Sequence, residues 1–390
     1  MVPQQIERDA FLDWVAQALK PRALDSQIQE RVFARAMSSV EVLPSVLERQ
    51  ANQKEFALPI WEYLGIAASD RRIRNGRQML RRHRDVLNRI EFAYGVEPGV
   101  ITAIWGLETG YGEVRGEVPT LSALATLAFR GRRAPYFEDE LIAALRLLQA
   151  DDGAPEKLVG SWAGAIGHGQ FMPSAVIGFA VDFDGDGRRD LCADDPTDAL
   201  ASIANYLHDH GWKKGQPWGF EVRLPGGFDY TLSGADQTRP SRDWAALGVI
   251  RADGGPIPDY GPGSILLPAG AGGVALLVLR NYRVITRYNR SQAYAIGVGH
   301  LSDRILGGPA FAGNWPATEP VLGQHEIGEA QNLLTCAGFD TEGVDGLRGP
   351  NTTRAVRAWQ QANGAVPDGY ISTDLLARLR ADEANKSLDG

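Results

Sequence analysis

Val96-Glu97-Pro98-Gly99-Val100-Ile101-Thr102-Ala103-Ile104-Trp105-Gly106-Leu107-Glu108-Thr109-Gly110-Tyr111-Gly112 is the stretch on which the reading of this 390-residue chain turns. Pro98 suits the first turn of a helix, where its missing N–H is one that would have no partner anyway. Gly110 and Gly112 suit the stop, since glycine accepts the left-handed backbone that ends a helix. Ile101, Ile104, Trp105 and Glu108 fall on one helical face. The pattern therefore predicts a carboxyl at the C-terminal end of a helix, in line with apolar side chains. Burial strips water from a carboxylate, and the negative end of the helix dipole repels it. Both effects disfavour ionisation, and a carboxyl kept protonated near neutral pH is what a general acid requires. The same spacing also suits a glutamate that reaches solvent or bonds a buried amide, and the residues alone leave both open.

Helical texture extends on either side. Residues 73–94 hold few breakers, and the apolar residues Met79, Leu80, Val86, Leu87, Ile90 and Phe92 recur at helical spacing, which predicts helix there. Its arginines, Arg71, Arg72, Arg74, Arg77, Arg81, Arg82 and Arg84, suit a solvated surface or an anion-binding face. Helices are also expected over 137–150, 199–210 and 291–306. Between them, from about 215 to 273, glycine and proline become dense and short runs such as Phe220-Glu221-Val222-Arg223-Leu224 read as strands. This predicts a small β-rich insertion. Residues 307–320, with Gly307, Gly308, Pro309, Gly313, Pro316 and Pro320, read as a linker. A separate module follows over 321–384. Its two Asp-Gly turns, Asp345-Gly346 and Asp368-Gly369, each precede a helix-start signal, Pro350-Asn351-Thr352 and Ser372-Thr373-Asp374. The fold class expected is mainly α with some β (α+β).

Composition excludes several classes. Hydrophobic residues are 44% and charged residues 23%, as in a folded globular protein. The net charge is −8, and residues 319–390 carry eleven acidic against six basic side chains. No part offers the positive footprint of a nucleic-acid binder. Cys192 and Cys336 are too few for a disulfide framework or a cysteine-built zinc site, and read as ordinary semi-buried thiols. The longest charge-free run, residues 260–279, is broken by five glycines and two prolines, so it reads as turns and strands and not as a membrane span. The first eight residues hold no apolar stretch of signal-peptide type. Either the protein stays in the cytosol or a targeting segment precedes this numbering.

Asp182-x-Asp184-x-Asp186-Gly187-x-x-Asp190 has the oxygen-ligand spacing of a calcium loop. The twelfth position is Ala193, where a bidentate carboxylate belongs, with Asp194 one step later. The alternative is a rigid turn in which the aspartates bond backbone amides and arginines.

Four blocks in register carry a family resemblance: the stretch around Glu108, residues 160–174 (GSWAGAIGHGQFMPS), residues 180–190 with 198–207, and residues 287–301. Together they resemble the membrane-bound lytic transglycosylase B family, lysozyme-like enzymes that cut peptidoglycan glycan strands. The C-terminal residues 343–346 (GVDG), 349–352 (GPNT) and 355–360 (AVRAWQ) resemble the three-helix peptidoglycan-binding domain. The resemblance implies a lysozyme-like catalytic domain over 1–306. It also implies non-hydrolytic cleavage of the MurNAc–GlcNAc bond to an anhydro sugar, with Glu108 as acid and then base. One carboxyl suffices because the nucleophile belongs to the substrate, whereas ordinary glycosidases need two. Glu113 and Glu117 read as surface-loop residues. Ser161, Gln170, Met172, Tyr206, Tyr288, Asn289 and Tyr294 fall where the family lines its sugar cleft, and their hydroxyls, amides and rings suit sugar. Met172 equally suits core packing. His168 lies in a glycine-rich loop and is given no role. The chemistry requires no cofactor, some relatives hold calcium in the aspartate loop, and the partner is peptidoglycan. That substrate places the enzyme in the periplasm, its signal peptide removed. A hydrolysing muramidase and a non-catalytic wall-binding scaffold are the alternatives, the second disfavoured by the intact Glu108.

Overall fold

The computed structural model describes residues 3–51, 58–151, 155–317 and 320–389. The chain divides into two units: residues 1–53 with 74–209, and residues 54–73 with 210–390.

The first unit is helical. The Pro98–Thr109 helix packs against Arg84–Tyr94 and Thr197–Asp209. Pro98 stands in its first turn, and Gly110 ends it at φ 61°, its N–H donating to the Gly106 and Trp105 carbonyls. The expected apolar stripe is too narrow a description: every residue from Gly99 to Gly106 is buried. Each of Val100, Ile101, Ile104 and Trp105 removes enough apolar surface from water to contribute about 1.5–3 kcal/mol. A neighbouring core joins Phe11, Leu19 and Phe33 to Leu124, Leu127, Leu141 and Leu145 of the helices Thr120–Arg130 and Ala134–Asp151. A two-stranded sheet pairs β1 (Val118–Pro119) with β2 (Val159–Gly160).

The helical stretch expected over 73–94 is two helices, Asp70–Arg82 and Arg84–Tyr94, broken at His83. The break turns the His83 ring edge-on to Trp105 at 5.4 Å. Apolar spacing continues across the break, so periodicity alone did not reveal it. Leu87 and Ile90 are buried, but Phe92 is 92% exposed.

In the second unit the β-rich insertion is a five-stranded antiparallel sheet in the order β4 (Arg239–Pro240), β6 (Pro262–Leu266), β7 (Ala275–Val278), β3 (Gly219–Arg223), β5 (Ile250–Arg251). It extends past the expected limit at 273, because β7 pairs with both β3 and β6 at its centre. Its core gathers Val222, Trp244, Ile265, Leu277 and Leu279, with the Trp244 indole N–H donating to the Gly263 carbonyl at 3.0 Å.

The C-terminal three helices, Gln324–Cys336, Pro350–Ala362 and Thr373–Asp389, form their own core around Trp359, Ile327, Leu334, Val356 and Leu376. The two Asp-Gly turns are built alike. Gln331 Oε1 accepts from Asp345 N and Gly346 N while its Nε2 donates to Asp345 Oδ1 at 2.8 Å. Gln360 repeats this, accepting from Gly369 N and donating to Asp368 Oδ1 at 2.7 Å. Cys192 and Cys336 are free thiols at exposed positions, not semi-buried ones.

The segment read as a linker is pinned. Glu221 of β3 accepts from Ala312 N at 2.6 Å and Gly313 N at 2.7 Å. Phe311 stacks on His300 of the Gln292–Ile305 helix at 4.1 Å between ring centroids. Burial, with the Arg304 charge beside it, holds His300 down to about 4. Below its ordinary value near 6.5 the unfolded chain takes up a proton that the folded chain refuses. His300 therefore contributes stability that is complete above pH 6.5 and is lost as pH falls towards 4, at most about 3 kcal/mol. Asp303 has the opposite dependence: burial pushes its carboxyl up to about 6 even though Trp218 Nε1 donates to it. The useful comparison is therefore with His300→Phe, which keeps the stack. Urea unfolding at pH 7 and pH 4 should show the wild type losing more stability than this variant, and equal losses would remove the assignment.

Candidate active site

Glu108 lies in the last turn of the Pro98–Thr109 helix and is half-buried, between fully buried Trp105 and Thr109. The turn is fixed on both sides of it. Thr109 Oγ1 donates to the His168 carbonyl at 3.0 Å and accepts from Gly112 N at 3.0 Å. Trp105 Nε1 donates to His168 Nδ1 at 3.0 Å. The helix is thus anchored through its buried face, and the carboxyl stands on its partly open part.

The glycine-rich loop folds back on itself by a bridge between Ile166 and Phe171. Ser161 Oγ accepts from Ala165 N at 3.1 Å, and Ser161 N donates to the Ala165 carbonyl at 2.7 Å. Gln170 stands at φ 50°, a region costly for a non-glycine residue. Its Nε2 donates to the Arg115 carbonyl at 3.1 Å and the Gly167 carbonyl at 2.9 Å, which offsets that cost. Met172 is half-buried and packs on the core of the first unit. Tyr206, half-buried, meets Phe179 edge-on at 4.7 Å and Phe171 at 6.1 Å. The first unit therefore brings Glu108, Ser161, Gln170, Met172 and Tyr206 onto one set of linked segments. Tyr288, Asn289 and Tyr294 belong to the second unit. There Asn289 Oδ1 accepts from Ser291 N, and the Ser291 hydroxyl accepts from Tyr294 N as the helix cap. Tyr294 is buried, while Tyr288 and Asn289 are half-buried. Glu113 and Glu117 are exposed, as the sequence suggested.

In the aspartate loop, Asp182, Asp184 and Asp186 turn one oxygen each into a cluster within 4.8 Å. Asp190 is not part of it: its Oδ1 accepts from Cys192 N at 2.9 Å. Asp194 does not stand in for the missing twelfth ligand, because it pairs with Arg115 at 3.0 Å. The aspartates also accept backbone N–H groups, Asp182 from Gly185 and Gly187, and Asp184 from Asp186. The N–H of Asp186 favours the Asp184 carboxylate, yet desolvation and the charges of Asp198, Asp186 and Asp182 raise its pKa. The three converging oxygens suit a hard divalent cation held by few protein ligands, and the backbone N–H bonds they accept equally suit the rigid turn that the sequence left open. Sequence reasoning missed the loop's anchor. Buried Asp198 accepts from Phe183 N at 2.8 Å and Asp190 N at 3.0 Å, clamping both ends. An Asp in the first turn of a helix reads as an ordinary cap, so nothing in its position signals this role.

Residues 10–303 match the family described as Transglycosylase SLT domain, and residues 324–379 match a peptidoglycan binding domain. The chain is 40% identical over 242 residues to the membrane-bound lytic murein transglycosylase B of Escherichia coli, a match covering 60% of this chain and 63% of that relative. It superposes with a TM-score of 0.89 on SltB3 from Pseudomonas aeruginosa, solved in complex with NAG-anhNAM-pentapeptide. That pair is 44% identical, covering 95% of this chain and 99% of the other. The Escherichia coli lytic transglycosylase Slt35 in complex with calcium superposes with a TM-score of 0.63 at 33% identity, covering 77% of this chain and 92% of that one. The chain belongs to the Transglycosylase SLT domain family and carries a C-terminal match to a peptidoglycan binding domain.

Proposed function

We propose that the chain is a lytic transglycosylase that cleaves the MurNAc–GlcNAc bond of peptidoglycan, with its C-terminal module binding the same polymer. The observation that carries this is Glu108, a half-buried carboxyl in the last turn of a helix buried from Gly99 to Gly106, whose neighbours Trp105 and Thr109 are tied to the glycine-rich loop. Glu108 protonates the glycosidic oxygen as the C1–O bond breaks. The resulting carboxylate then takes the proton of the muramoyl C6 hydroxyl as that oxygen bonds to C1. The carboxyl ends protonated, and the product ends in an anhydro sugar without consumption of water. By the family resemblance, Ser161, Gln170, Met172 and Tyr206 in the first unit and Tyr288, Asn289 and Tyr294 in the second are each assigned to contact sugar. Digestion of purified sacculi followed by mass analysis of the muropeptides tests this. Anhydro ends are expected, and reducing ends heavier by one water would assign a hydrolysing muramidase instead.

A substrate of this kind lies outside the cytoplasm, and we propose the periplasm as the site of action. No described helix is long and apolar enough to cross a membrane.

We also propose that Asp182, Asp184 and Asp186 hold a structural calcium ion, which would supply no chemistry to the reaction but would neutralise their mutual repulsion. The missing twelfth ligand implies weak binding, with Kd about 10⁻⁴–10⁻³ M. Binding to the folded state alone stabilises by about 2.7 kcal/mol at a hundredfold excess over Kd. Millimolar calcium should raise the melting temperature, magnesium should do so little, and Asp184→Ala should abolish the effect. A melting curve indifferent to calcium, to EDTA and to this substitution would leave a plain turn.

A further inference from the structure

His168 is 3% exposed and sits where the glycine-rich loop meets two other segments. Trp105 Nε1 is a donor only, so the ring nitrogen that receives it at 3.0 Å, Nδ1, carries no proton. The proton of the neutral ring is therefore on Nε2, which donates to the Ala193 carbonyl at 2.8 Å. The main chain of the same residue makes two more bonds. Its N–H donates to the Leu191 carbonyl at 3.0 Å, and its carbonyl accepts from Thr109 Oγ1 at 3.0 Å. Arg115 lies against the outer edge: Nη1 is 3.2 Å from Nε2 and donates to the Cys192 and Ala193 carbonyls, and Nη2 pairs with Asp194. The space for the ring is made by Gly112, where a Cβ would come within 2.5 Å of the imidazole.

These contacts bracket one residue. Trp105 precedes Glu108 by one helical turn and Thr109 follows it directly, and both end on His168. We propose that neutral His168 is a positioning residue for the reaction: it fixes the rotation of the last helical turn, and so the direction of the Glu108 carboxyl, and ties that turn to residues 191–193 beyond the aspartate loop. A protonated ring could not do this. Nδ1 would then carry a proton against the Trp105 N–H, and the positive ring would lie beside the Arg115 guanidinium. Burial, with the Arg115 charge, lowers the His168 pKa and keeps the ring neutral. The inference rests on Glu108 as the acid and base, and it adds that the acid is aimed by a ring on another segment.

The test uses the full chain with sacculi as substrate. His168→Phe keeps the volume and removes both ring hydrogen bonds. Because a carboxyl misplaced by about an ångström can lose on the order of 10²-fold in rate, kcat should fall by that order while KM stays within about twofold. His168→Gln, whose amide can accept from Trp105 and donate to Ala193, should restore most of the loss. If His168→Phe does not fold, Trp105→Phe removes the same bond from the other partner and should show the same split. Combined with His168→Gln it should cost no more than alone, since one interaction is being removed. Glu108→Gln is run in parallel. An active Glu108→Gln enzyme overturns the assignment of the acid itself. An inactive Glu108→Gln enzyme with unchanged kcat in both His168→Phe and Trp105→Phe overturns the positioning role alone, as does a loss that lies in KM or that glutamine fails to rescue.

Discussion

Glu108→Gln should remove all measurable production of anhydro-muropeptides while leaving the fold and the affinity for glycan strands intact. Glutamine has the same shape and can still bond a sugar oxygen, but it can neither give the first proton nor take the second. Removing a general acid costs on the order of 10²–10⁴-fold, and here one group serves both steps, so the loss should lie at or beyond the upper end. The surroundings argue that little else will change. The helix that carries Glu108 is buried from Gly99 to Gly106, ended by Gly110 and held through Trp105 and Thr109. None of those contacts needs a charge at position 108. The check is paired: muropeptide release followed by mass analysis, and thermal melting with binding to insoluble sacculi. Residual anhydro ends from a correctly folded variant would move the acid elsewhere.

The parts legible in the sequence are those whose signal is local. Pro98 and Gly110 bound the catalytic helix because start and stop are set by the residues that occupy them. The Asp-Gly turns of the C-terminal module announce its helices for the same reason, whereas the glutamines that hold them, Gln331 and Gln360, precede their aspartates by different spacings, 14 and 8 residues. What stayed hidden depends on partners distant in the chain. His83 breaks a helix whose apolar spacing continues through it. Asp198 looks like a cap and is a clamp for a loop eight to fifteen residues away. Glu221 looks like an outward residue of a strand and holds residues 312 and 313 across 91 and 92 positions. His168 sits in a run of glycines whose only visible property is flexibility, yet its ring receives Trp105 from 63 residues away. In each case the residue type is ordinary and the meaning lies in the acceptor or donor it meets, which periodicity and composition do not carry.

Removal of residues 319–390 should separate binding from chemistry. The module's core draws only on residues between Leu322 and Leu379, and the core of the β-rich sheet draws on none of them. Contact between the two includes two hydrogen bonds and a close approach of Tyr370 to Gly270: Ala271 N donates to Asp368 Oδ2 at 2.9 Å, and Arg357 Nη2 donates to Ser233 Oγ at 3.2 Å. Each such bond contributes about 1 kcal/mol, too little for the sheet to depend on the module. The cut also spares the pinned segment, since Phe311 and its stack on His300, with Ala312 and Gly313 on Glu221, all precede it. The truncated protein should therefore melt as a folded domain and turn over short soluble glycan fragments at the wild-type rate. On intact sacculi a second binding site acts through effective concentration, and its removal weakens the combined grip by about 10²-fold or more. Activity at low enzyme concentration should fall accordingly, and raising the enzyme concentration should restore it. That rescue distinguishes lost binding from lost chemistry, because no excess of enzyme replaces a damaged site at full saturation. A truncated chain that unfolds would make the module part of the catalytic core, and undiminished activity on sacculi would deny it a role in binding the wall.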